Sequence, residues 1–137
     1  MRVMLLAKSS PESEIVEPSA DPAGFEAMAR YSDELVAAGV LLAADRLHPS
    51  SKGARVRFDG SSRTVTDGPF SEAKELVAGY WIWQVRSLDE AIEWLKRAPF
   101  DGGVEIEIRQ VYEAADFGSA PEGTLERIMG PGETTDS

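Results

Sequence analysis

Apolar and polar positions along this chain repeat with two periods, near two for strands and near 3.6 for helices. Residues 2–8 are rich in Val, Leu and Met on both faces, which predicts a strand covered on both sides. Residues 9–20 hold two prolines, four serines and three acids and predict a long surface loop. A helix opens at Asp21-Pro22, with Asp21 as N-cap and Pro22 at the first helical position. Phe25, Met28, Ala29, Leu35 and Val36 share one helical face. Gly39 stands where a left-handed cap ends the helix. Residues 40–47 predict a strand and residues 48–53 a polar loop. Residues 54–58 alternate, with apolar residues inward and arginines outward. Asp59-Gly60 is a hairpin turn, and residues 62–66 return as the partner strand.

Residues 71–75 predict one helical turn. Residues 76–85 are dense in β-branched and aromatic side chains, the mark of a strand. Tyr80, Ile82 and Gln84 fall on one side of it and Trp81, Trp83 and Val85 on the other. Ser87 with Glu90 three residues later spells a capping box. Leu88, Ala91, Ile92 and Leu95 form the next helical face, which Ala98-Pro99 ends. Asp101-Gly102-Gly103 turns the chain into a last strand over 104–112. From Ala114 the pattern fades. Leu125, Ile128 and Met129 predict one docked helical turn, and the last eight residues predict disorder. The chain therefore divides into a domain over 1–115 and a polar tail over 116–137, with no internal repeat.

The order of elements is β-α-β, a hairpin, then β-α-β. That is the split βαβ, ferredoxin-like plan: an α+β fold with both helices on one face of an antiparallel sheet and an inserted β-hairpin. The other face is also apolar, and no third helix of adequate length exists to cover it. Each Å² of apolar surface removed from water contributes roughly 25 cal/mol. A second copy packed sheet to sheet is the simplest cover, so a two-fold homodimer is expected.

Composition narrows the chemistry. A chain of 137 residues, 42% hydrophobic and 28% charged, suits one globular domain with one core. The absence of cysteine removes disulfides, thiolate nucleophiles and thiolate metal sites. A formal charge of −10 argues against nucleic acid as a direct ligand. No apolar run approaches the roughly 20 residues that span a bilayer. The run at the N-terminus is too short for a signal peptide, so no membrane partner and a cytoplasmic location are expected. One histidine among scattered carboxylates does not suggest zinc. No cofactor is expected: there is no Gly-rich phosphate loop, Gly-x-Ser-x-Gly elbow or His-Glu-x-x-His.

The most concentrated chemistry lies at Thr66-Asp67-Gly68-Pro69-Phe70-Ser71. Gly68 is free to take positive φ and Pro69 fixes its own, a geometry that holds the Asp67 carboxylate at the mouth of a pocket. Asp67 is the candidate general base, with Gly68, Pro69, Phe70 and Tyr80 as ligand contacts. The competing reading has Asp67 capping the 71–75 turn or bracing the loop. His48 is the sole histidine. At the end of a strand, it either meets Asp67 as a proton-moving pair or stays solvated in its loop. Lys8, Arg46, Lys52, Arg55 and Arg57 are candidate cations for an anion pocket, though the alternation of Arg55 and Arg57 marks a solvated face. Trp81 and Trp83 read as core and dimer interface, with an aromatic ligand cage as the alternative.

At Asp67-Gly68-Pro69-Phe70 the sequence resembles the DGPF family, part of the larger YCII-related group. Val3-Met4-Leu5-Leu6 resembles that family's first strand, and Leu35-Val36-Ala37-Ala38-Gly39-Val40-Leu41 its helix-to-strand junction. Its most specific part is Thr64-Val65-Thr66-Asp67-Gly68-Pro69-Phe70-Ser71-Glu72-Ala73-Lys74-Glu75 followed by Gly79-Tyr80. Leu88-Asp89-Glu90-Ala91 and Val104-Glu105-Ile106 with Arg109 fit its final helix and strand, so the resemblance covers residues 2–112. It implies a dimeric α+β barrel of ferredoxin-like halves. It also implies genes often placed beside sigma factors of the extracytoplasmic-function type. The wider group resembles lyase- or dehalogenase-like enzymes with a His–Asp acid/base pair. Asp67 stands closest to that Asp. The place of the His falls near Met28, on a helix that contains no histidine.

Two readings follow. In the first, the protein is a homodimer that binds a small molecule in a pocket near Asp67. Any acid/base chemistry there uses Asp67 as base and His48 or Tyr80 as acid. In the second, it is a non-enzymatic regulatory or interaction protein linked to an extracytoplasmic-function sigma factor system, acting through its acidic surface or the 9–20 loop.

Overall fold

The computed structural model describes residues 1–14, 21–72, 76–118 and 121–129. Strands β1 (Arg2–Lys8), β2 (Leu41–Arg46), β5 (Val77–Gln84) and β6 (Ile106–Gln110) form one antiparallel sheet. Its order is β2-β5-β1-β6, and β3 (Ala54–Asp59) with β4 (Ser62–Asp67) forms a separate two-stranded ribbon. The helices are α1 (Pro11–Glu14), α2 (Pro22–Ala37), α3 (Leu88–Lys96) and α4 (Thr124–Met129). This α+β architecture is compatible with the ferredoxin-like plan.

The two central strands carry the core. Val3 lies opposite Trp83, and Leu5 lies opposite both Trp81 and Ile108. Val3, Leu5, Trp83 and Val85 are buried against Tyr31 and Leu35 of α2, Val40, and Ala91 of α3. Both long helices therefore cover this one face. Fully burying a large apolar side chain contributes about 1.5–3 kcal/mol. The Trp83 indole N–H has no acceptor among the described residues.

The caps explain where the helices begin and end. The Asp21 carboxylate accepts from the Ala23 N–H at 3.2 Å, and Gly39 adopts φ 71° just past the end of α2. At α3, Ser87 Oγ accepts from Glu90 N–H at 3.1 Å. The Glu90 side chain does not complete the expected box. It takes Arg86 instead, accepting from its Nε at 2.9 Å and its backbone N–H at 3.3 Å.

Several expectations change. The buried face of α2 is Tyr31 and Leu35, whereas Phe25 and Val36 are exposed. Tyr31 takes the inward position because its hydroxyl donates to the Trp94 carbonyl of α3, which satisfies its polar end. Burial above all pushes the Tyr31 phenol up to about 12; Glu34 adds to the rise and Arg97 offsets part of it. The loop after β1 contains α1, and the helical turn expected at 71–75 falls partly on residues outside those described. The last strand is shorter than 104–112, because the left-handed pair Gly102 and Gly103 delays its start. On α4, Ile128 is 79% exposed, so that turn is not docked through it. The eight residues expected to be disordered lie outside the described residues.

The hairpin departs most from expectation. Every residue of β3 and β4 is exposed, so the apolar side of the ribbon does not point into this chain's core. Val56 lies directly opposite Val65, and both are more than half exposed, as is Phe58.

Candidate functional site

A cavity lies between α2 and the end of the sheet where β1 and β2 finish and β6 begins. Its volume is about 530 Å³, within the range of small-molecule sites. Strand register shows why it exists. One row across the sheet is Ala44, Trp81, Leu5 and Ile108; the next row on the same face is Arg46, Gly79, Ala7 and Ile106. The first row is filled by large side chains over most of its width. The second has nothing at Gly79 and a methyl at Ala7, so the floor drops away there. A Cβ at Gly79 would stand 2.8 Å from the Asp45 carbonyl oxygen, so the close approach of β2 excludes a side chain at this position. Phe25 and Met28 of α2 form the roof, and Phe100 and Trp81 close the side. Trp81 is fixed by ring contacts to Phe100, Tyr31 and Trp83 at 5.7, 6.0 and 5.4 Å between centroids.

Few polar groups interrupt these walls. Asp45 and Tyr80 border the cavity along β2 and β5, but strand alternation puts their side chains on the opposite face of the sheet, where the Tyr80 hydroxyl donates to Asp45 Oδ2 at 2.8 Å. That bond, followed by the Asp45 charge and then burial, raises the Tyr80 phenol above its usual range. Tyr80 is the donor of this pair and Asp45 its acceptor. Asp21 also borders the cavity but is committed to capping α2. Lys8 at the rim lies 4.0 Å from Glu107. Arg46 ends β2 on the floor row and has no ion pair or side-chain hydrogen bond among the described residues.

The Asp67 segment is built differently. Its Gly68 N–H donates to the Gly53 carbonyl at 3.0 Å, and the Gly68–Pro69 peptide is cis. A Cβ on Gly68 would fall 1.7 Å from the Ser50 carbonyl oxygen, so only glycine fits. Phe70 N–H donates to Ser50 Oγ at 3.0 Å. Ser50 donates in turn to both oxygens of Glu14, from Oγ at 2.6 Å and from its own N–H at 2.7 Å. The Arg55 guanidinium stacks 3.6 Å from the centre of the Phe70 ring, so Arg55 is not simply solvated. The segment thus knots the base of the hairpin to the turn at Ser50–Lys52 and to α1.

Of the residues singled out from the sequence, Lys8, Arg46, Tyr80 and Trp81 border the cavity. Asp67, His48, Gly68, Pro69 and Phe70 do not. Asp67 and His48 are both exposed, and no hydrogen bond or ion pair joins them among the described residues. Sequence reasoning had not singled out Asp45, and it named Gly79 only within the family resemblance. A glycine inside an otherwise bulky strand was the available signal, since it marks a close approach of backbone or ligand. A second cavity, about 300 Å³, lies beside the start of α3, and its charged residues Arg86 and Glu90 already pair at 2.9 Å. Among the described residues no group of His and carboxylates could hold a metal ion.

The YCII-related domain model matches residues 1–115, a span that takes in all six strands, the knot at Gly68 and every wall of the cavity. Uncharacterized protein R00369 of Rhizobium meliloti (strain 1021) is similar: 32% identical over 88 residues, covering 61% of this chain and 71% of that protein. The sheet, the knotted hairpin base and the cavity over the sheet's end thus all lie within one matched domain, and the chain belongs to the YCII-related family.

Proposed function

We propose that this protein is a homodimeric small-molecule binder whose ligand occupies the cavity between α2 and the sheet. The cavity is the observation that carries the reading: it has apolar walls, a backbone-enforced hollow at Gly79, and Arg46 beside that hollow on the floor row. Within the YCII-related family, the Asp67-Gly68-Pro69-Phe70 signature supports a place in the DGPF subgroup. The Tyr80 hydroxyl, bonded to Asp45 on the opposite face of the sheet, is not placed to act on a ligand in this cavity. Asp67 and His48 are the alternative site, and Asp67→Asn separates it from the cavity. On the cavity reading this change leaves ligand binding intact; loss of binding would return the site to Asp67.

Two surfaces support the dimer. Met4, Leu6, Tyr80 and Ile82 lie on the sheet face away from the core, where no long helix covers them. The ribbon adds exposed Val56, Phe58 and Val65, and an isolated two-stranded hairpin is marginal at best in water. A second copy supplies cover for both. The same exposed ribbon favours the second reading, an interaction protein that holds a different partner there.

The test has two parts. Light scattering on the eluted protein should give twice the chain mass of 14.9 kDa. A thermal-shift screen of small acids, lactones and aromatic metabolites should raise the melting temperature for at least one chemical class. A single-chain mass with no hit across the screen would leave the interaction reading in its place.

A further inference from the structure

We infer that the cavity selects a ligand with an apolar body and one anionic group, and that Arg46 is the residue that holds the anion. This rests on the cavity being a ligand site, and adds the chemical class of what enters it.

Four charged residues border the cavity: Lys8, Asp21, Asp45 and Arg46. Three are committed elsewhere. Asp21 caps α2 through the Ala23 N–H, Asp45 accepts from Tyr80, and Lys8 lies 4.0 Å from Glu107. Arg46 has no such engagement among the described residues. Its position in the register matters as much as its charge. It is the last residue of β2 and stands beside Gly79, in the row that continues to Ala7 and Ile106. Strand alternation therefore places Arg46 on the same face as the cavity floor, next to the hollow. A guanidinium in that place offers a planar fork of donors, the geometry that suits a carboxylate or sulfonate.

The rest of the lining sets the other half of the ligand. Phe25, Met28, Trp81, Phe100 and Ile106 present carbon surface, which rewards an aromatic or branched aliphatic body. The chain as a whole carries a charge of −10, which repels anions at long range. An unengaged cation on the floor of an apolar cavity in such a protein has a local purpose, because general solubility is already provided by the acids.

Two fluorescent probes that differ in one group test this. Anilinonaphthalene sulfonate is an arylamine with an anionic group, and N-phenylnaphthylamine is its neutral counterpart. Both are titrated against the full chain and against Arg46→Gln and Lys8→Gln, with far-ultraviolet circular dichroism confirming the fold of each variant. The expected result is tighter binding of the sulfonate by the unaltered protein. Arg46→Gln should weaken sulfonate binding about tenfold, the scale of one lost charge-assisted contact near the surface, and leave the neutral probe unchanged. Lys8→Gln should have the smaller effect on the sulfonate. If both probes bind and Arg46→Gln alters neither, the anion assignment is overturned while the cavity remains a ligand site. A loss that follows Lys8 instead of Arg46 also overturns it. If neither probe binds, the cavity reading fails and takes this inference with it.

Discussion

The four-stranded sheet and the β3–β4 ribbon are both antiparallel and both alternate along their strands, yet one holds the core and the other is exposed on both faces. The difference does not come from strand propensity. Val56, Phe58 and Val65 are as fitted to a strand as Val3, Leu5 and Val85. It comes from what lies over each face. The sheet's inner face has α2 and α3 on it, and the ribbon has neither. Pairing gives a strand its partner, but burial requires a second layer.

The largest expected effect is at the centre of the sheet. Trp83→Ala should cost about 3–5 kcal/mol in denaturant unfolding. Trp83→Phe should cost far less, because the indole N–H it removes has no acceptor among the described residues. On the ribbon, Phe58→Ala should change the unfolding of the isolated chain by no more than about 0.5 kcal/mol. A larger effect that grows with protein concentration would show that a second copy covers Phe58, and would narrow the contrast to one between intramolecular and intermolecular burial.

The base of the ribbon comes next. Gly68→Ala forces a methyl into the Ser50 carbonyl and should cost about 2 kcal/mol. The damage should be local, seen as faster proteolysis between β3 and β5 with sheet amides still protected from exchange. Ser50→Ala loses the bonds to Phe70 and Glu14 and should cost about 1 kcal/mol through the same local opening. Equal loss of protection in the sheet would mean that the two regions unfold as one.

Titration gives the smaller effects. The folded Tyr31 phenol is raised to about 12 from an ordinary value of 10.0, so the folded state holds its proton more firmly. The corresponding stability is fully present below the ordinary value and is lost as pH rises from there towards about 12. Tyr31→Phe should flatten that alkaline decline. Glu113 runs the other way: its hydrogen bond from Arg2 holds the carboxyl below its usual range. That stability is present above the usual carboxylate range and fades as pH falls through the depressed value. The pair is part-exposed and screened by solvent, so Glu113→Gln should cost well under about 1 kcal/mol, and less at high salt.

The element order, both long helices, the Asp21 and Ser87 caps and the turn at Asp59-Gly60 were legible because each is a local signal. The cavity was not, because it depends on register. Gly79, Ala7 and Arg46 lie far apart in the chain and become one row only when three strands align. The hairpin's exposure was hidden for a related reason, since alternation marks an apolar side without saying what lies against it. Asp67-Gly68-Pro69-Phe70 was conspicuous as a cluster of residue types. Its glycine turned out to answer to a backbone contact with Ser50 that no spacing in the sequence reveals.

The most direct measurement is the binding of N-phenylnaphthylamine to Ala7→Leu. Ala7 stands in the floor row beside Gly79, so leucine there fills the hollow without touching the Asp67 segment. A ligand site between α2 and the sheet predicts that probe binding falls at least about tenfold while the melting temperature holds or rises. Unchanged binding in a folded Ala7→Leu protein would contradict it.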